Sequence, residues 1–127
     1  MATLKDLTVY RKSFELAMQI FEITKMFPAE EKFSLVSQIR RSSRAVCANL
    51  AEGYRKRQYP AHFVAKISDA DMENTETRVW FDFSLSCGYI NNTTYDELVT
   101  INSDIGKLLN HMINFPEKYQ VKKQTNL

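Results

Sequence analysis

The chain has 127 residues, 44% of them hydrophobic and 25% charged, which is enough apolar material for a single core in a single domain, 1–127. Its 17 lysines and arginines stand against 15 acids, and a formal net charge of +2 is too close to balance to mark nucleic-acid binding by bulk charge alone. No apolar run approaches the ~20 residues that span a bilayer, and the opening stretch MATLKDLTVYRKS is broken by Lys5, Asp6, Arg11 and Lys12, so neither a membrane span nor a signal peptide is expected and the location is read as cytoplasmic.

Three glycines and three prolines fall mostly between long segments with apolar residues at three- and four-residue intervals, the signature of helices. The first helix is predicted near residues 6 to 26. It carries two stripes, Leu7, Tyr10, Phe14, Met18 and Phe21 on one and Val9, Leu16, Ile20 and Ile23 on the other, which calls for two sets of neighbours. Pro28 breaks the chain, and Glu30 and Glu31 stand where a helix start favours negative charge, so the second helix is predicted from about Glu30 to Lys56. Pro60 suits the first turn of a third helix that runs to about Cys87 and stops at Gly88. Thr94 with Glu97, or equally Thr93 with Asp96, has the spacing of a capping box for a fourth helix. Leu98, Ile101, Ile105, Leu108 and Met112 form its stripe, Pro116 ends it, and a frayed tail is expected from about residue 117. Four long helices with short connections predict an all-α, up-down-up-down antiparallel four-helix bundle.

Between Gln38 and Arg57 lie six cations and one acid, Glu52. On an ideal helix Arg40, Arg44 and Arg55 fall within about 60° of one another, with Arg41 at the edge and Leu35, Ile39, Val46 and Leu50 almost opposite. Ala48 and Ala51 lie between Arg44 and Arg55 and make a shallow strip with cationic ends. Asp69, Glu73, Glu76 and Trp80 share one face of the third helix, so at least two of Arg40, Arg41 and Arg44 are expected to pair with those acids in a structural network. Arg55, Lys56, Arg57 and Lys66, around the second connection, are left for an external anion.

An enzyme is the least supported class. A bundle-core metal centre needs Glu-x-x-His, and neither His62 nor His111 has a glutamate three residues before it. Glu73 and Glu76 facing arginines would make poor proton donors near neutrality. Ser42, Ser43 and Cys47 have no histidine nearby in sequence, and no phosphate-binding glycine motif occurs. No cofactor and no metal are expected, and Cys47 and Cys87, in apolar helical patterns, are read as reduced core thiols. Trp80, Phe81 and Phe83 are assigned to packing or a subunit interface.

FPAEEKFSLVSQIRRSSRAVCANLAEGYRKR followed by FVAKISDADMENTETRVWFDFSLSCGYI resembles the bacterial four-helix bundle proteins encoded within intervening sequences of 23S ribosomal RNA genes, the S23-type family, over about residues 4 to 118. Its most specific marks here are Gln38-Ile39-Arg40-Arg41-Ser42, Asn49-Leu50-Ala51-Glu52-Gly53, and Glu73, Glu76 and Trp80. The resemblance implies assembly as a homopentamer, in which the extra stripe of the first helix would lie between subunits. The fold is also similar to the accessory variability determinant proteins of diversity-generating retroelements, which implies a nucleic-acid-associated accessory role. The expected function is therefore a non-enzymatic oligomeric accessory protein that associates with structured RNA or other nucleic acid through phosphates. The alternative is a protein-binding scaffold with no nucleic-acid role.

Overall fold

The computed structural model describes residues 3–120. Four α-helices dominate it: α1 (Thr8–Thr24), α2 (Leu35–Arg55), α3 (Pro60–Ser86) and α4 (Asn92–Asn114), with short 3-10 turns at Leu4–Asp6, Ala29–Glu31 and Pro116–Tyr119. Among the described residues no strand occurs.

The helix limits differ from expectation where local hydrogen bonds outbid pattern. Glu30 and Glu31 lie in the 3-10 turn rather than in α2, because Ser34 takes a non-helical conformation (φ −122°, ψ −100°) and its hydroxyl donates to Glu31 Oε1 at 2.6 Å. That hydrogen bond holds the Glu31 carboxyl below its ordinary range. Pro60 opens α3 as expected, and Gly88, at φ +76°, supplies the left-handed residue that ends it. The cap of α4 is neither Thr94 nor Thr93 but Asn91, whose side-chain oxygen accepts from the Thr94 amide at 2.8 Å. Asn91 is extended, as a cap must be, and asparagine is at least as strong a cap as threonine, so the helix begins two to three residues earlier. The segment from residue 117 to 119, expected to fray, is held: Tyr119 lies 6.1 Å from Phe63 in a stacked arrangement and its hydroxyl is 2.7 Å from His111 Nδ1. Any tail from residue 121 lies outside the described residues.

Consecutive helices are antiparallel. Ser42 meets Thr77 and Glu52 meets Lys66 across α2 and α3, while Asn74 meets Asn102 and Asp82 meets Tyr95 across α3 and α4. Arg40 near the start of α2 meets Thr24 at the end of α1, and α1 also contacts α4, which closes an up-down-up-down four-helix bundle with α1 and α3 on one diagonal. The core holds Leu16, Ile20, Ile39, Val46, Leu50, Phe63, Ile67, Phe81, Ile105, Leu109 and Met112, all buried, each worth about 1.5–3 kcal/mol on transfer from water.

Two features depart from a plain apolar bundle. A layer of buried Ser13, Ser42, Ser43, Asn74, Thr77 and Asn102 crosses it, with every helix contributing and every side chain hydrogen-bonded. The outward face of α3, meanwhile, has no charge: Ala61, Ala65, Ser68, Met72, Thr75, Val79 and Phe83 are all exposed. A helix apolar on two opposite faces is one that expects cover on both. On α1 the stripe that begins with Leu7 and Tyr10 packs partly against the core, while its Phe14 and Met18, 52% and 46% exposed, have no cover among the described residues.

Candidate nucleic-acid interface

An up-down bundle sorts its segments to two ends. One end gathers Thr3 and Leu4, the connection from α2 to α3, and the turn carrying Tyr119; the other gathers the two remaining loops, where Phe27 lies 5.1 Å from Tyr89. Residues 3–12, 52–66 and 107–120 at the first end carry nine lysines and arginines against Asp6, Glu52 and Glu117, a balance of +6. Residues 22–34 and 82–97 at the other carry two lysines against six acids, a balance of −4. The near-neutral chain is thus basic at one end and acidic at the other.

The centre of the basic end is built from the last turn of α2. Arg55 is exposed at its final position, and Arg57 lies with its guanidinium 3.6 Å from the Tyr54 ring centre while its Nε donates to the Tyr54 carbonyl at 2.9 Å. Lys56 Nζ is 5.8 Å from the Tyr59 ring. Among the described residues no carboxylate lies within 4.0 Å of Arg55, Lys56 or Arg57. Thr3, Leu4, Tyr54, Arg55, Arg57 and Gln58 line a concavity here of about 480 Å³. Lys66 does not join this group: its Nζ is 2.7 Å from Glu52, and hydrogen bonding and attraction to that carboxylate raise its pKa. The sequence placed Lys66 with the free cations because it overlooked Glu52, which the antiparallel register of α2 and α3 brings alongside.

The expected ion-pair network is smaller than predicted. Arg41 alone spans it, with Nη1 2.9 Å from Glu73 and Nη2 on Glu76. Arg40 turns to the opposite neighbour: its Nε donates to Thr24 Oγ1 at 2.9 Å and its guanidinium lies 4.7 Å from the Phe21 ring, while Arg44 sits 5.8 Å from the same ring. Asp69 makes no ion pair within 4.0 Å among the described residues and adds to the field at Lys66. A 100° wheel groups Arg40 with Arg41 but does not say that the helix falls between two neighbours, so residues one position apart go to different helices. Of the three aromatics, Phe81 is fully buried, Trp80 is partly buried with an indole N–H that finds no acceptor among the described residues, and Phe83 is 54% exposed beside Trp80 on α3.

Among the described residues no three His, Cys, Asp or Glu side chains converge where a metal ion could be held. Ser42 and Ser43 spend their hydroxyls on Thr77 and the Arg40 carbonyl, and burial pushes the Cys47 thiol up to about 11, the wrong direction for a nucleophile; Cys87, expected in the core, is instead exposed, because it caps α3 just past its last turn. No described helix is long and apolar enough to cross a membrane. What sequence reasoning missed were Lys5, Arg11, Lys12, Lys107 and Lys118, which the topology adds to the basic end. Summing charge by predicted bundle end, rather than along the chain, would have found them.

Residues 5–111 match the model of the 23S rRNA-intervening sequence protein family. The chain belongs to that family. The matched span takes in all four helices to His111, including Arg55, Lys56 and Arg57. Consistent with membership, the chain is similar to a crystal structure of a protein of unknown function from the S23 ribosomal protein family of Bacteroides thetaiotaomicron VPI-5482, with 32% identity, a TM-score of 0.76, and coverage of 84% of this chain and 95% of that one. Comparison with curated proteins finds no match.

Proposed function

We propose that this member of the 23S rRNA-intervening sequence protein family is a non-enzymatic, oligomeric accessory bundle that associates with structured RNA or another nucleic acid through phosphate contacts at its basic end. The observation that carries the proposal is the segregation of charge, with no carboxylate among the described residues within 4.0 Å of Arg55, Lys56 or Arg57 at the centre of a +6 end. Arg41 and Lys66, by contrast, spend their charge on carboxylates of the fold itself. The uncharged outer face of α3 and the uncovered Phe14 and Met18 of α1 support self-association, and the family resemblance supports a homopentamer. Repetition of a weak basic end around a ring would raise its avidity for a ligand that reaches several copies.

The test is binding of labelled structured RNA and duplex DNA across a salt series, with the assembly state checked by light scattering. If each copy neutralises three phosphates, the slope of log affinity against log salt is about −2.7 per copy on a duplex, or roughly a 40-fold loss from 50 to 200 mM salt. Changing Arg55, Lys56 and Arg57 to glutamate should abolish binding in an equally folded, equally assembled variant. The second reading, a protein-binding scaffold, is favoured by the uncharged face of α3. Absence of nucleic-acid binding at low salt, with a protein recovered by capture after nuclease treatment, would replace the first reading with it.

A further inference from the structure

We infer that the basic end takes an unpaired stretch of nucleic acid, holding phosphates with Arg55 and Arg57 and stacking a base on Tyr59. The inference rests on the nucleic-acid reading proposed above and names the form of ligand that site selects. Tyr59 closes the turn between α2 and α3 with half of its surface exposed. Its one ring neighbour among the described residues is His62, which meets it edge-on at 6.1 Å and 73°, so no ring stacks on it. Tyr54, five residues earlier, differs in that the Arg57 guanidinium lies over its ring, 3.6 Å from the centre. That contact, with the Nε donation to the Tyr54 carbonyl, fixes the Arg57 guanidinium while its two terminal nitrogens keep no acceptor among the described residues. Arg55 and Arg57 share a concavity of about 480 Å³, within the range that receives a nucleotide-sized group.

Tyr59 is the next residue after Gln58, which lines that concavity, and a cationic site followed along the chain by an unstacked aromatic ring suits single strands, because every base offers a π face and a phosphate follows each base. A duplex keeps its bases stacked on one another and offers this surface only its backbone, so Tyr59 adds nothing to duplex binding. Lys56, 5.8 Å from the Tyr59 ring, adds attraction for the backbone on the same side.

The experiment compares fluorescein-labelled oligouridylate and oligothymidylate of about 12 nucleotides, within the span of known single-strand sites, against duplexes with the same number of phosphates, all bound to the assembled protein at one salt concentration. Single strands should bind more tightly than duplexes. Tyr59→Ala should weaken single-strand binding by about tenfold, within the range measured for base stacking, and leave duplex binding unchanged, while Tyr59→Phe retains the wild-type affinity. Ribose and deoxyribose strands run as separate arms, and the Tyr59 dependence in either supports the site. Equal loss on single strand and duplex in Tyr59→Ala, or no loss on either, overturns the stacking site while phosphate binding stands. Failure of the wild-type protein to bind any of the probes overturns both.

Discussion

Asn74 and Asn102 clasp one another inside the bundle, and breaking that clasp from either side should cost different amounts. Asn74 Nδ2 donates to the Asn102 carbonyl at 3.0 Å, and Asn102 Nδ2 donates to the Asn74 carbonyl and to Asn74 Oδ1, both at 2.9 Å. Asn102→Ala removes two hydrogen bonds, about 1 kcal/mol each, and strands the buried Asn74 Oδ1 for about 2 kcal/mol more, near 4 in all. Asn74→Ala also removes two, but Asn102 Nδ2 keeps the Asn74 carbonyl, so its cost is about 2 kcal/mol. The double variant loses all three bonds and strands nothing, near 3 kcal/mol, well below the sum of about 6. The expected coupling is therefore about 2–3 kcal/mol, within the span seen for residues in contact. Urea unfolding followed by circular dichroism, at one fixed protomer concentration because assembly stabilises by mass action, would measure it. Single-variant costs that add to within about 0.5 kcal/mol in the double variant would refute the reasoning and reduce the layer to filler.

Gly53 packs so close to α3 that an added Cβ would lie 2.8 Å from Ile67 Cδ1 and 3.2 Å from Lys66 Cβ; Gly53→Ala should therefore lose its helix-propensity gain of about 1 kcal/mol to crowding and come out destabilised by about 1, and Gly53→Leu by about 3 or more, as thermal unfolding would show. Arg41→Ala should cost about 1 kcal/mol at low salt and much less in 1 M salt, since Arg41, Glu73 and Glu76 are each a quarter to a half exposed. A thiol reagent at pH 8 should label one cysteine per folded chain rapidly, the exposed Cys87, and reach Cys47 only on unfolding. The Cys47 thiol, whose ordinary value is 9.0, stays protonated to about 11 when folded, so the unfolded chain loses its proton first and stability should fall as pH rises from about 9 to 11. Cys47→Ala should remove that part of the alkaline decline.

Most of the bundle was legible in its sequence, because Leu35, Ile39, Val46 and Leu50 on α2 and Leu98, Ile105 and Met112 on α4 repeat at the spacing of one helical face and are buried. The surplus stripe of α1 was legible for the same reason. The start of α2 and the cap of α4 were not, since they turn on single side-chain hydrogen bonds by Ser34 and Asn91 that compete with equally plausible neighbours. The fates of Arg40 and Arg41 were half legible: periodicity gave their shared sector, but only the bundle decided that one faces Phe21 and the other Glu73. Arg55, Lys56 and Arg57 of the basic end were singled out by their density in the chain. Lys66 was misjudged, and the wider basic end went unseen, because both depend on which segments the topology brings together.

The separation of +6 from −4 has a further consequence. The 27 residues of α3 span about 40 Å, so the two charged ends stand several screening lengths apart at about 0.15 M salt, where the Debye length is about 8 Å. The helices run alternately up and down and their own dipoles largely cancel, which leaves a side-chain dipole on the order of 10³ debye. An approaching polyanion is turned toward one pole in solution and then responds to that pole alone. Net charge, the quantity that made this chain look indifferent to nucleic acid, is not what such a ligand experiences.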